Sequence, residues 1–429
     1  MAPGELASHT LITYPTETFS STVISVPLTE PQIHLLVKNK LIPLLPYPLV
    51  VVRRIQWELR HPSPAAQVYL ALYALTSFDV TPTTSRTELQ SQLTSWLSEP
   101  ATSPPPPTAP FLVSYLNLLP AGQTQSWVFS TSEIPPSHAP PFASFANALE
   151  VLTGDTVPLV ASYPPPPSDP ITYPPTQPAT APIPLLRHLF THILTHLIPQ
   201  RPAEPPADWL WLRDNKKYLS QPYSTRKVLF GSIHSSLIPW FSLPSTTRRD
   251  GQYVKLLMPP GAWDPAANAS RVAPRVDFSG APFGYELGTL VDAELQTVLD
   301  RSPIPRTLGT LREMPNVGLY TSTGPRECVG WGFLSKDGSL SSLHVEEAHR
   351  KKGLATCLGR ELLALQAQHF SVKGVEDAYG AWWGMADVEE NNVSSRRVME
   401  KLGAEVWWGI QWVEIDVGIV LGGLEKVEV

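Results

Sequence analysis

The chain has 429 residues, 42% hydrophobic and 16% charged, the balance of a folded globular protein long enough for two domains and unlike that of a disordered one. Its formal net charge of -6 supplies no global attraction to nucleic acid or to an anionic membrane surface, so neither is an expected partner. Cys328 and Cys357 alone cannot build a disulfide framework and read as packing residues; with no signal-like N-terminus and no apolar run of ~18 residues, the expected location is the cytoplasm.

Proline divides the chain. Of 48 prolines, only Pro274, Pro282, Pro303, Pro305, Pro315 and Pro325 lie beyond residue 270. Proline interrupts helices and sheet interiors, so the first part is expected to be loop-rich and the last to hold unbroken elements. The expected domains are 1–250, proline-rich and α/β, and 270–429. Pro104–Pro107 and Tyr163–Pro184 read as extended loops, with docking of a proline-recognising partner an open alternative. Between them, Leu49–Val52 reads as a strand and Ala65–Leu75 as a helix. Ser85 and Glu88 form a capping box for a helix to about Leu97, and Phe111–Leu119 and Gln125–Phe129 read as strands. A helix over Leu185–Ile198 carries His188, His192 and His196 on one stripe. Such a stripe suits zinc, but no carboxylate or cysteine joins the spacing, so a polar helix face is favoured and no metal is expected.

The last part alternates regularly. A helix over Thr289–Leu299 precedes strands at Val317–Thr321 and Glu327–Leu334, and Asp337-Gly338 turns into a strand over Leu340–Val345. A helix over Gly353–Phe370, a strand over Ala381–Val388, a helix over Ser394–Leu402 and strand material over Val406–Leu421 complete a mixed α+β sheet flanked by helices.

The segment LHVEEAHRKKGLATCLGRELL, Leu343–Leu363, carries the chemistry. A strand runs into a basic turn whose glycine opens a long helix. The first N–H groups of a helix lack intrahelical partners and its dipole is positive there, so a pyrophosphate is expected to dock over Arg350, Lys351, Lys352, Gly353, Leu354 and Ala355. Neither a Walker loop nor a dinucleotide fingerprint fits the spacing.

RKKGLA, Arg350–Ala355, resembles the Arg/Gln-x-x-Gly-x-Gly/Ala signature of the GNAT superfamily of N-acyltransferases, and VEENNVSSRRVMEKLGA, Val388–Ala404, is similar to its later motif. Val329–Ala355 looks most like the glycine N-acyltransferase branch, whose N-terminal half is a degenerate copy of the same domain. The resemblance implies a C-terminal GNAT fold, a mixed, mostly antiparallel sheet with a V-shaped splay. It also implies acetyl-CoA or another acyl-CoA as co-substrate, bound by backbone of Leu343, His344 and Val345, by the 350–355 turn and by Asn392. The acceptor would be a small-molecule amine or amino acid, acylated by direct transfer. The branch's catalytic glutamate position holds Ser339, and the superfamily's common tyrosine position holds Met399. Glu346, His344, Asp387 and Tyr379 are the candidate substitutes, and a non-catalytic acyl-CoA-binding or interaction protein is the rival reading.

Overall fold

A computed structural model describes residues 23–73, 86–99, 110–134, 182–241, 245–259, 282, 284–370 and 383–427. The runs 104–107 and 163–181, Tyr379 and the Ser85 cap lie outside these residues.

The N-terminal half contains β1 (Val23–Pro27), α1 (Glu30–Leu36), α2 (Leu49–Arg60), β2 (Gln67–Tyr73), α3 (Arg86–Ser98), β3 (Phe111–Leu116) and β4 (Ser126–Ser130). It continues through α4 (Pro182–His192), α5 (Ala207–Asp214), β5 (Lys227–His234), α6 (Ile238–Phe241) and β6 (Thr246–Met258). The C-terminal half contains β7 (Tyr285–Gly288), α7 (Asp292–Arg301), α8 (Leu308–Glu313), β8 (Asn316–Thr321), β9 (Cys328–Leu334) and β10 (Ser339–Val345). After it come α9 (Leu354–Phe370), β11 (Gly384–Glu389), α10 (Val393–Lys401), β12 (Glu405–Asp416) and α11 (Val417–Val427).

The strands of the described residues join one 12-stranded sheet in the order β1-β2-β3-β4-β5-β12-β6-β11-β10-β9-β8-β7. Among these described pairings, only β4 with β5 and β10 with β11 are parallel. Read from either edge inward, the sheet repeats one pattern: four antiparallel strands, a parallel neighbour, then a strand of the other half. The two halves exchange their central strands, because β12 sits beside β5 and β6 sits between β12 and β11. The fold is α+β, with the splayed mixed sheet expected of the C-terminal half and a matching arrangement in the N-terminal half.

Four buried clusters hold helices to the two faces. On one face, α1, α2 and α3 cover Val68, Leu70, Val113 and Phe129, and α7 and α8 cover Trp331 and Phe333. On the other, α4 and α11 cover Tyr69, Leu112, Phe230 and Ile415, while α9 and α10 cover Val254, Leu256, Met258 and Ala386. The sheet is thus buried on both sides, the arrangement that makes strands near-continuously apolar.

Four local expectations are corrected. Leu49–Val52 is the first turn of α2, not a strand: the helix also buries Arg53, Arg54 and Gln56, which hides its polar face from a periodicity argument. Ala65–Leu75 contains β2, not a helix, because its central five residues are buried on both faces and lose the alternation that marks a strand. Residues 417–421 turn into α11 instead of extending the last strand, at Asp416, whose Oδ1 accepts from the N–H of Gly418 at 3.0 Å. Pro182 and Pro184, expected in a loop, open α4, where a missing N–H costs nothing.

Two histidines of the stripe, His188 and His192, are internal, and His196 is half-buried. His188 Nδ1 lies 3.0 Å from Ser25 Oγ, and His192 Nε2 lies 3.0 Å from Gln67 Oε1 with its ring stacked on Tyr69. Burial pushes both imidazoles down to about 4, so they serve as neutral pegs between α4 and the sheet. No group of three potential metal ligands occurs among the described residues, and no described helix is long and apolar enough to cross a membrane.

Candidate functional site

The sheet opens at β10. That strand pairs with β11 only through Ser339–Met385 and Leu340–Ala386, and from Ser341 onward no pairing joins the two. On its other side β10 stays paired with β9, but with an extra residue between Ser341 and His344: these oppose Phe333 and Trp331, and Ser342 adopts φ 50°. This is a β-bulge, which bends a strand and re-aims its side chains. Glu346 N donates to Val329 O, so strand alternation turns the backbone groups of Leu343 and Val345 toward the opening. The sheet thereby leaves a row of backbone donors and acceptors beside a gap.

Immediately beyond the gap, β10 passes through a 3-10 turn at Glu347–His349 into the basic loop and α9. Lys351 and Gly353 hold φ of 66° and 79°, the left-handed region that favours glycine. Gly353 O accepts from the N–H groups of Thr356 and Cys357, at 3.0 Å each, which closes the first turn of the helix. Nothing lies within 4 Å of where a Gly353 side chain would begin, so the mouth of this turn is open. Lys351, Lys352 and Gly353 are exposed, with the start of a 17-residue helix behind them. An anion there meets free amides and a positive dipole end.

The basic side chains divide the work. Arg350 Nε donates to Val345 O at 2.8 Å, tying the loop back to the end of β10. Lys352 Nζ donates to Tyr285 Oη at 2.9 Å, so its charge is turned toward β7. Asn392 caps α10, its Oδ1 accepting from Ser395 N at 3.0 Å.

The candidate bases fare differently. His344 stacks on Trp331 with ring centroids 4.5 Å apart, on the sheet face covered by α7 and α8. Its Nε2 is buried without a hydrogen-bond partner and sits 3.7 Å from Glu346 Oε2. Burial holds its imidazole below the ordinary histidine value, with Glu346 acting in the opposite direction. Burial opposes ionisation of Glu346, but the pair with Arg301, 2.5 Å away, and His344 outweigh it and keep its carboxyl below the usual carboxylate range. Asp387 is buried on β11 beside Lys255 of β6, Oδ1 to Nζ 2.5 Å; burial raises its carboxyl above the usual value and Lys255 acts against that. Ser339 donates its hydroxyl to the buried Asp337 at 2.6 Å, and Asp337 also accepts from Trp127 Nε1 of the N-terminal half. Met399 is packed in the core beneath α9. Of the three candidates among the described residues, His344 alone is an imidazole, held below the ordinary histidine value by burial, and its Nε2 has no hydrogen-bond partner although Glu346 faces it at 3.7 Å.

A family model described as the acyl-CoA N-acyltransferase verG N-terminal domain matches residues 21–256, more than half of the 429. The chain belongs to this acyl-CoA N-acyltransferase family. A second model, for FR47-like protein, matches residues 316–413, the stretch that contains the gap and the basic turn. The chain is similar in structure to a Drosophila protein at 11% identity, covering 91% of this chain and 98% of that one with a TM-score of 0.43. It is also similar to a tandem GNAT protein from the clavulanic acid biosynthesis pathway, at 11% identity over 92% and 99% of the two chains, TM-score 0.40. A GCN5-related N-acetyltransferase from Sphaerobacter thermophilus shares 12% identity over 92% and 96%, TM-score 0.33. No curated protein matches the chain by sequence.

Proposed function

We propose that this chain transfers an acetyl group from acetyl-CoA to a primary amine in the gap between β10 and β11, with His344 as the base. The observation that carries the reading is the departure of β10 from β11 after Leu340, directly ahead of the open turn at 350–355. The turn would hold the pyrophosphate, and the backbone of Leu343 and Val345 the pantetheine amides, with Asn392 beside them at the start of α10. A free strand N–H is also a donor for the oxyanion that forms on the thioester oxygen. The amine nitrogen attacks the thioester carbon, its proton passes to His344 Nε2, and the carbon–sulfur bond breaks to release the thiolate, which takes up a proton. Residues of both halves meet beside the gap: Lys255 of the N-terminal half pairs with Asp387, and Trp127 of the same half donates to Asp337.

The rival reading, a non-catalytic acyl-CoA-binding protein, is favoured by the commitment of Ser339 to Asp337 and by Met399 in the core. Isothermal titration with acetyl-CoA, followed by free-thiol release across an amine panel, separates the two. Binding with amine-dependent release supports the enzyme, binding without release supports the rival, and absence of binding defeats both.

Replacing Gly353 by valine forces a β-branched residue into φ 79° and rotates amides out of the turn. The dissociation constant for coenzyme A is expected to rise about tenfold or more, while the exposed position leaves the melting temperature close to wild type. Reversal of Arg350 to glutamate is expected to cost about one to two decades through lost charge and loss of the tie to Val345. An unchanged dissociation constant in either variant would contradict the placement of the pyrophosphate.

His344→Ala is expected to lower kcat about a hundredfold with coenzyme A binding retained. Because burial depresses the imidazole, the acidic limb of the wild-type kcat profile, measured with saturating acceptor, should fall below the ordinary histidine value. An acidic limb that persists unchanged in His344→Ala would exclude this histidine as the base.

A further inference from the structure

Among the described residues, Arg306 is a cation beside the gap with no carboxylate in salt-bridge contact. Arg306 lies in the loop between α7 and α8, half-buried, and its guanidinium reaches the bulge of β10. Nη1 donates to Ser342 Oγ at 2.6 Å and Nη2 to Ser341 Oγ at 3.2 Å. Both acceptors are neutral. The neighbouring cations are matched: Arg301 with Glu346, and Lys255 with Asp387. Asp337 is a carboxylate that acts on Arg306 through space, yet its Oδ1 takes the N–H and hydroxyl of Ser339 and its Oδ2 takes Trp127 Nε1. Removing a cation from water without a counter-charge is costly, and burial accordingly brings the Arg306 guanidinium down to about 10, with Asp337 acting against it.

A guanidinium has five N–H donors in a planar fork, and two of them are spent on the serines. The others are available to a planar anion, as is the hydroxyl hydrogen of Ser342, which accepts from Arg306. A carboxylate fits this fork with two parallel bonds and supplies the missing charge. Ser341 and Ser342 stand where β10 has left β11, and His344 is two residues farther along the same strand. The cation is therefore bonded to the same strand segment that carries the histidine proposed as the base.

We propose that Arg306, with Ser341 and Ser342, binds a carboxylate of the acceptor, which makes the acceptor an amine carrying a carboxylate close to its amino group, such as an α-amino acid. This rests on the acyl transfer proposed above. The bulge is what brings both serines to one guanidinium: an unbulged strand would turn neighbouring side chains to opposite faces.

The test uses the full chain with saturating acetyl-CoA and a panel of α-amino acids, each paired with its carboxamide. Thiol release gives KM and kcat, and equilibrium binding of each acid and amide to the protein loaded with coenzyme A gives a readout independent of turnover. In the wild type, acids are expected to be preferred over amides. Arg306→Gln should raise KM for the acids about 10- to 100-fold, abolish the preference, and leave the acetyl-CoA dissociation constant unchanged. Arg306→Lys, which keeps the charge and loses the fork, should restore part of it. Equal affinity for acids and amides in the wild type, or a preference surviving in Arg306→Gln, overturns the proposal. Acid-selective binding without turnover upholds the subsite and defeats the catalytic reading, whereas failure of acetyl-CoA to bind defeats both.

Discussion

Expressed alone, residues 270–429 are expected to be aggregated or unfolded. That fragment lacks β6, the strand that pairs with both β11 and β12: Gly384 through Glu389 lie opposite Met258 through Tyr253, and β12 pairs with β6 along most of its length. Its removal exposes two hydrogen-bonding edges inside what had been the middle of a sheet, a template for pairing between chains. It also removes Val254, Leu256 and Met258 from the core beneath α9 and α10, where each is almost fully buried. Apolar side chains buried to that degree are worth about 1.5–3 kcal/mol apiece, so the three approach the net stability of a typical domain before the backbone bonds are considered. Co-expression with residues 1–258 is expected to restore a soluble complex, because the missing strand then returns in trans. Size-exclusion chromatography and circular dichroism of the fragment, alone and with its complement, decide the matter. A monomeric fragment with a cooperative melt would show that the exchanged strand is dispensable, and the N-terminal half would then be a tethered module.

The C-terminal elements were legible because their signals are local. Asp337-Gly338 turns the chain from β9 to β10, and leucines at helical spacing mark α9, as sequence reasoning expects. The basic turn is contiguous, so residue order alone brings Arg350 to Ala355 to the mouth of a helix. The N-terminal half was less legible for a physical reason. In α2 the buried residues include Arg53 and Arg54, with the Arg54 guanidinium 4.2 Å from the centre of the Tyr115 ring, so polar identity there does not mark the solvent face. In β2 both faces are covered, and periodicity cannot separate such a run from a buried helix. The strand exchange was invisible for a different reason: nothing in residues 246–258 specifies that their neighbours are 384–389 on one side and 405–416 on the other. Arg306 belongs to the same class. Its partners Ser341 and Ser342 lie 35 and 36 positions away and carry no motif; the only hint was a lone arginine in a short polar loop.

Lys255→Met is expected to destabilise the protein by about 3–5 kcal/mol at pH 7, because it leaves the Asp387 carboxylate buried with its cation removed. Lys255 and Asp387 are directly opposite each other on β6 and β11, 1% and 6% exposed at the side chain, so water cannot replace the lost partner cheaply. The sign of the pH dependence follows from the direction of the shift. Burial raises the folded-state value of Asp387 above that of the unfolded chain while Lys255 restrains the rise, so the folded state binds more protons in the window that opens at about pH 4 and extends upward. Across that window stability falls as pH rises. Removing the lysine takes away the restraint and carries the window farther toward neutrality. The variant should therefore lose stability steadily from pH 4 to 7, while in acid, where Asp387 is neutral in both proteins, its deficit against wild type narrows. Combining Lys255→Met with Asp387→Leu removes both charges and is expected to recover most of the loss, since a buried pair is often replaceable by apolar residues of similar size. Urea midpoints of the two variants and wild type at pH 4, 5.5 and 7 measure all of this. A single variant as stable as wild type at pH 7, or one whose deficit is the same at all three values, would mean that Asp387 is not held as a charged group against Lys255.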